Sequence, residues 1–130
     1  MSQWRWVPIE ALHVIHDRQI ARHGGAPGLR DAALLEMGCA RAMNRAGYEE
    51  ASVFEIAAAY AFGIVKAHAF VDGNKRTGFV AALTFLRLNG YAMRPEPAVG
   101  VAMMEDLASG TVEEAAFAVW LGQEARPIEL

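Results

Sequence analysis

Apolar positions recur along most of this chain at spacings of three and four, and polar breaks divide them into about six helical stretches. The first opens at Pro8, which suits a first helical turn because a missing N–H costs nothing there. Leu12, Ile15 and Gln19-Ile20 mark its inner face, and the paired glycines Gly24-Gly25 end it near His23. His13, His16 and Asp17 fall on its polar side; as a metal site they lack a further ligand set. Gly24 to Arg30 holds three glycines and Pro27 and forms a loop. Asp31 caps the next helix, in which Ala33, Leu34, Met37 and Ala40-Arg41 recur at helical spacing, with Gly47 in the break that follows.

Ser52 and Glu55 have the spacing of a capping box. The helix they introduce, Val53 to His68, is apolar nearly all round, and a helix with no polar face is buried, so it belongs at the centre. A tight turn leads into a second strongly apolar helix, Lys75 to Leu88, which Gly90 is placed to stop. Pro95 and Pro97 begin another helix that includes Val101, Met104 and Leu107 and ends near Gly110. Thr111 and Glu114 predict a second capping box before a last helix carrying Phe117, Trp120 and Leu121, and Pro127 marks the tail. No strand is predicted, beyond a short extended segment at Trp4 and Trp6, which alternate with Gln3 and Arg5. Without an internal repeat, low-complexity tract or long linker, the pattern predicts an all-α fold: one bundle of about six helices spanning residues 1–130 around the antiparallel pair Val53–His68 and Lys75–Leu88.

Composition narrows the function classes. At 130 residues and 54% hydrophobic, the chain is long and apolar enough to bury a core, which excludes disorder as the default. A net charge of −3 offers no general basic surface for nucleic acid, so any anion site is local. The single cysteine, Cys39, fits a reducing compartment and a small buried hydrophobe better than a reactive thiol. The N-terminal MSQWRWVPIE lacks the apolar run of a signal peptide, and Ile56 to Val65 is too short to span a bilayer. These features predict a cytoplasmic protein with no membrane partner.

The chemistry concentrates in His68 to Thr77, HAFVDGNKRT. A helix start presents backbone N–H groups without intrahelical partners at the positive end of its dipole, a ready anion site. His68 is a candidate general base, its alternative being a satisfied core histidine. Asp72 is a candidate Mg²⁺ ligand, or a cap for the helix at Lys75, and the two roles can coexist. Gly73 permits the turn, and Asn74 either stabilises it or binds ligand oxygens. Lys75 and Arg76 are candidate phosphate clamps. As a solvated pair, the alternative, they would oppose the dipole, which argues for an anion nearby. Phe70 suits an inward anchor, and Thr77 is polar filler in the first helical turn.

This motif resembles the HxFx(D/E)GN(K/G)R signature of the Fic/Doc family, and Lys75 resembles the Doc branch. Gly24-Gly25 with Gly28-Leu29-Arg30-Asp31, Ala57 to Gly63, and Leu86-Arg87-Leu88-Asn89-Gly90-Tyr91 are similar as well, so the likeness covers roughly Pro8 to Tyr91. It implies a Fic/Doc fold whose central helix pair brackets the site. His68, Asp72 and Arg76 become catalytic, Gly73, Asn74, Lys75 and Arg76 bind nucleotide phosphate, and Asp72 holds the metal. Adenylyl-transferring members resemble H-x-F-x-E-G-N-G-R-x-x-R; here Lys75 replaces the second glycine and Phe79 the second arginine. Those departures imply a Doc-like kinase toxin that uses ATP and Mg²⁺ to phosphorylate a Ser or Thr of a cytoplasmic protein, expected to be elongation factor Tu, and so arrests translation. AMP transfer is the alternative within the family. Self-inhibited members carry (S/T)xxxE(G/N); Ser109 to Glu114 lacks its final residue, which implies neutralisation by a separate Phd-like antitoxin, docking on the first helix and near Trp4 and Trp6. The resemblance also gives Gly24 to Arg30 a role as a flap over the site, against that of a plain connection. A remote alternative is a HEPN-like ribonuclease, from Arg18 and His23 in R-x-x-x-x-H, which the acidic balance disfavours.

Overall fold

The chain folds, in a computed structural model, into an all-α arrangement that describes residues 3–48 and 50–129. Its helices are α1 (Ile9–His23), α2 (Ala32–Ala46), α3 (Val53–Ala67), α4 (Asn74–Leu88), α5 (Pro97–Ser109) and α6 (Glu114–Glu124). Met1 and Ser2 of the N-terminal stretch lie outside the described residues.

Helix α3 is the axle. Ten of its fifteen residues are buried, as its all-round apolar pattern predicts, and it packs against α2, α4, α5 and α6. Both halves of the Ser52–Glu55 capping box form, with Glu55 N donating to Ser52 Oγ and Ser52 N to Glu55 Oε1. Small residues let neighbours approach closely. A Cβ on Gly38 would stand 2.8 Å from the Gly63 carbonyl oxygen, and one on Gly78 would stand 3.0 Å from that of Ala61. Backbone contact at such crossings leaves no room for side chains, which is why α2 buries Leu35, Gly38, Cys39 and Ala42. The expected stripe through Met37 is therefore corrected: Met37 is 68% exposed.

Other expectations also shift. Helix α3 ends at Ala67, and His68 caps it in the left-handed region at φ 48° and ψ 43°. Helix α4 begins at Asn74 after Gly73, which is also left-handed. The second capping box is absent. Helix α6 starts after Glu113 with no side-chain cap, while the Ser109 and Thr111 hydroxyls bond each other at 2.9 Å in the α5–α6 corner. The left-handed Gly110 turns the chain there, so Thr111 lies two residues short of a capping position.

A two-stranded sheet, not predicted, pairs β1 (Tyr91–Ala92) antiparallel with β2 (Arg126–Pro127). Two-residue strands are too short to show alternation. Trp4 and Trp6 form no strand. Asn89 clasps the backbone of Arg5 at both ends, and the Trp6 ring packs 5.6 Å from Phe85 and 6.4 Å from Tyr60. Tyr60 Oη accepts from Val7 N at 3.1 Å, which locks the entry to α1 onto α3. No helix among the described residues is long and apolar enough to cross a membrane.

Candidate active site

Residues 68–73 connect the C-terminus of α3 to the N-terminus of α4, and the loop is held from three sides. From within, Asn74 donates from Nδ2 to the Phe70 carbonyl at 3.0 Å and accepts the Phe70 N–H on Oδ1 at 3.1 Å. This reciprocal clamp is buried, so the amide of Asn74 serves the turn first. Phe70, 1% exposed, is the inward anchor its place between polar residues suggests.

From one flank, the segment after α1 lies along the loop. Arg30 N and Asp31 N donate to the Ala69 carbonyl, Val71 N donates to Gly28 O, and Leu29 bridges Phe70 in β fashion. Gly24 to Arg30 is therefore docked on the motif and is not a free connection. Asp31 also caps α2, accepting from Ala33 N and Leu34 N as predicted.

From the other flank comes α1. His16, assigned to the polar face by its sequence, is 2% exposed. Its ring stacks on Phe70 at 3.8 Å between centroids and 9° between planes, and its Nε2 lies 2.7 Å from the Asp72 carbonyl oxygen. A signal existed: Leu12, His16 and Ile20 recur every four residues, on the buried stripe. No group of three metal-binding side chains occurs among the described residues, so His13, His16 and Asp17 form no such centre.

The exposed Asp72 carboxylate accepts from Gly73 N at 2.8 Å on Oδ1 and from Ala26 N at 3.3 Å on Oδ2. The Gly73 amide, then the Ala26 amide, and then the Arg76 charge hold its carboxyl below the usual range, so it is ionised at neutral pH. It does not cap α4, whose first turn has no side-chain cap. Those amides remain available to an anion. Lys75 is exposed beside them. Arg76 is half-buried, donating to the carbonyls of Gln19 at 3.3 Å and Gly24 at 3.0 Å, so it also closes the C-terminus of α1. A guanidinium carries more N–H donors than these two contacts use. His68 is exposed, which removes the core-histidine reading. Thr77 is fully buried with an unpartnered hydroxyl, so it is not first-turn filler.

One ionised carboxylate beside an uncapped helix start fits a magnesium site of the nucleotide kind, in which phosphate and water supply the other oxygens. A concavity of about 390 Å³ lies elsewhere, between Met37, Arg41, Asn44, Arg45, Tyr48 and Glu114. There Arg41 pairs with Glu114 at 2.5 Å, and Arg45 pairs with Glu55 at 2.7 Å. Its charges neutralise each other and no histidine lines it. Phe79, in place of a second arginine, stacks on Trp120 with centroids 6.2 Å apart and serves packing.

The Fic/DOC family model matches residues 6–86. Over 94 residues the chain is 39% identical to protein kinase doc of Escherichia phage P1, covering 72% of this chain and 75% of that protein. Over 72 residues it is 41% identical to toxin Doc of Mycolicibacterium smegmatis, covering 54% of this chain and 55% of that one.

Proposed function

The chain belongs to the Fic/DOC family, and from that premise we propose that it is a Doc-like toxin moving the terminal phosphate of ATP onto a Ser or Thr hydroxyl. One observation carries the reading: the uncapped first turn of α4 lies next to an ionised, exposed Asp72. The α4 amides and Lys75 receive phosphate oxygens, with Gly73, Asn74 and Arg76 shaping the turn. Asp72 holds Mg²⁺, which when bound neutralises phosphate charge. The hydroxyl oxygen forms a bond to the γ-phosphorus as the bond to the bridging oxygen breaks, and ADP leaves with that electron pair. His68 takes the hydroxyl proton. The docked segment Gly24 to Arg30 borders the target's approach.

The name of the phage relative, a protein kinase, supports transfer of phosphate over AMP. So does Phe79, a packing residue where adenylyl-transferring members resemble arginine. The proposed target is elongation factor Tu, and the proposed neutralising partner is a Phd-like antitoxin. Residues 1–130 act as one unit in this reading.

Incubation with γ-labelled ATP, Mg²⁺ and elongation factor Tu is expected to label the factor, and His68→Ala to abolish the label. Label from α-labelled ATP would establish AMP transfer instead. Label on another protein would keep the kinase and change its target.

A further inference from the structure

We propose that His16 is a positioning residue that orients the Asp72–Gly73 peptide and so holds the Asp72 carboxylate in the pose that receives a divalent cation; this rests on the phosphoryl-transfer reading above. A carbonyl oxygen only accepts, so the 2.7 Å contact from His16 Nε2 to Asp72 O requires the hydrogen on Nε2. The other ring nitrogen, Nδ1, lies 3.8 Å from Oδ1 of Asp17, whose side chain is 80% exposed.

A trans peptide is planar, with its C=O and N–H on opposite edges. Drawing the Asp72 carbonyl toward α1 therefore turns the Gly73 N–H the other way. That N–H makes the shorter of the two amide contacts to the Asp72 carboxylate, 2.8 Å against 3.3 Å from Ala26. The sequence of contacts runs from imidazole to carbonyl, across one rigid peptide, to amide and carboxylate. Stacking on the buried Phe70 ring fixes the imidazole plane. The turn itself is pressed against α1: a Cβ on Gly73 would stand 3.1 Å from Ile20 Cδ1 and 3.5 Å from His16 Cδ2.

Packing alone would be satisfied by any flat ring of this size, so the N–H donor is what the test must isolate. His16→Gln places an amide nitrogen near the position of Nε2, whereas His16→Phe keeps the ring and removes the donor. Binding of Mn²⁺ in the presence of ADP, followed by electron paramagnetic resonance, reads the cation site without turnover. We expect His16→Gln to stay within about threefold of wild type and His16→Phe to weaken Mn²⁺ binding by about tenfold or more, the usual scale for a group that orients a ligand. Nitrogen-15 resonances of the wild-type imidazole are expected to show the hydrogen on Nε2. That measurement needs no variant and decides the case if His16→Phe does not fold. A hydrogen on Nδ1 alone, or wild-type Mn²⁺ affinity in a folded His16→Phe, overturns the inference. Absence of Mn²⁺ binding by the wild type overturns the phosphoryl-transfer reading and with it the cation's place here. Equal binding by wild type and His16→Phe overturns only the role of His16.

Discussion

Gly38 and Gly63 meet backbone to backbone where α2 crosses α3, each standing where the other's Cβ would collide with a carbonyl oxygen. Gly63→Ala gains about 1 kcal/mol of helix propensity. It also forces the crossing apart, and overpacking of this kind costs about 1–3 kcal/mol or more. Net destabilisation is expected, seen as a lower urea midpoint. An unchanged or raised midpoint would show that α2 and α3 can separate freely.

Asn74→Ala leaves both the N–H and the C=O of the buried Phe70 peptide without their partner. Unsatisfied buried groups cost about 1–3 kcal/mol each. The expected result is a clear drop in melting temperature together with faster amide exchange at Phe70. Asn74→Asp keeps the acceptor for Phe70 N–H but sets an oxygen against Phe70 O, so it should rescue little.

Asp72 gives an acid-side prediction. Its carboxyl is held below the ordinary value of 3.8, chiefly by the Gly73 amide. A depressed folded value contributes stability above the unfolded value and loses it as pH falls through the folded one. Wild type should lose stability relative to Asp72→Asn as pH drops below about 4, and the two should run parallel above pH 6. Acid unfolding curves of both chains measure this. Phosphate transfer by Asp72→Asn should fall by orders of magnitude at pH 7 with the fold retained.

The alkaline limb belongs to Cys39 and Tyr60. Burial pushes the Cys39 thiol from 9.0 to about 11, with Glu36 adding to the shift. Burial likewise pushes Tyr60 from 10.0 to about 12, against the opposing Val7 N–H. Raised folded values mean that the stabilising contribution is full below the ordinary values and is lost as pH rises through the folded ones. Stability should therefore hold to about pH 9 and decline toward pH 11 to 12. Cys39→Ala should delay the onset of that decline. At pH 8, Ellman's reagent should leave Cys39 unmodified until urea exposes it.

The helices were legible because their signals are local. Ser52 and Glu55 cap α3, and the unbroken apolar run from Ile56 predicts its burial, since both depend on near neighbours in sequence. The candidate site was legible only where its residues sit inside the motif. His16 escaped because its partners, Phe70 and the Asp72 carbonyl, are more than fifty residues away and one is a backbone atom that no side-chain pattern announces. The part Arg76 takes in closing α1 was missed because its carbonyl partners at Gln19 and Gly24 are equally invisible. Thr111 and Glu114 show the converse error: correct spacing, but the chain turns at Gly110 before a cap can form.

His68 halts α3 in a backbone conformation usually left to glycine or asparagine, at φ 48°. In the proposed reaction the same residue collects the proton, so one side chain serves as brake and as base. Its removal is then two experiments in one. Alanine disarms the chain but must still hold the left-handed bend, at a strain of about 1 kcal/mol. Asparagine disarms it while keeping a residue at ease there, which makes His68→Asn the better silent stand-in if the active chain arrests growth as proposed.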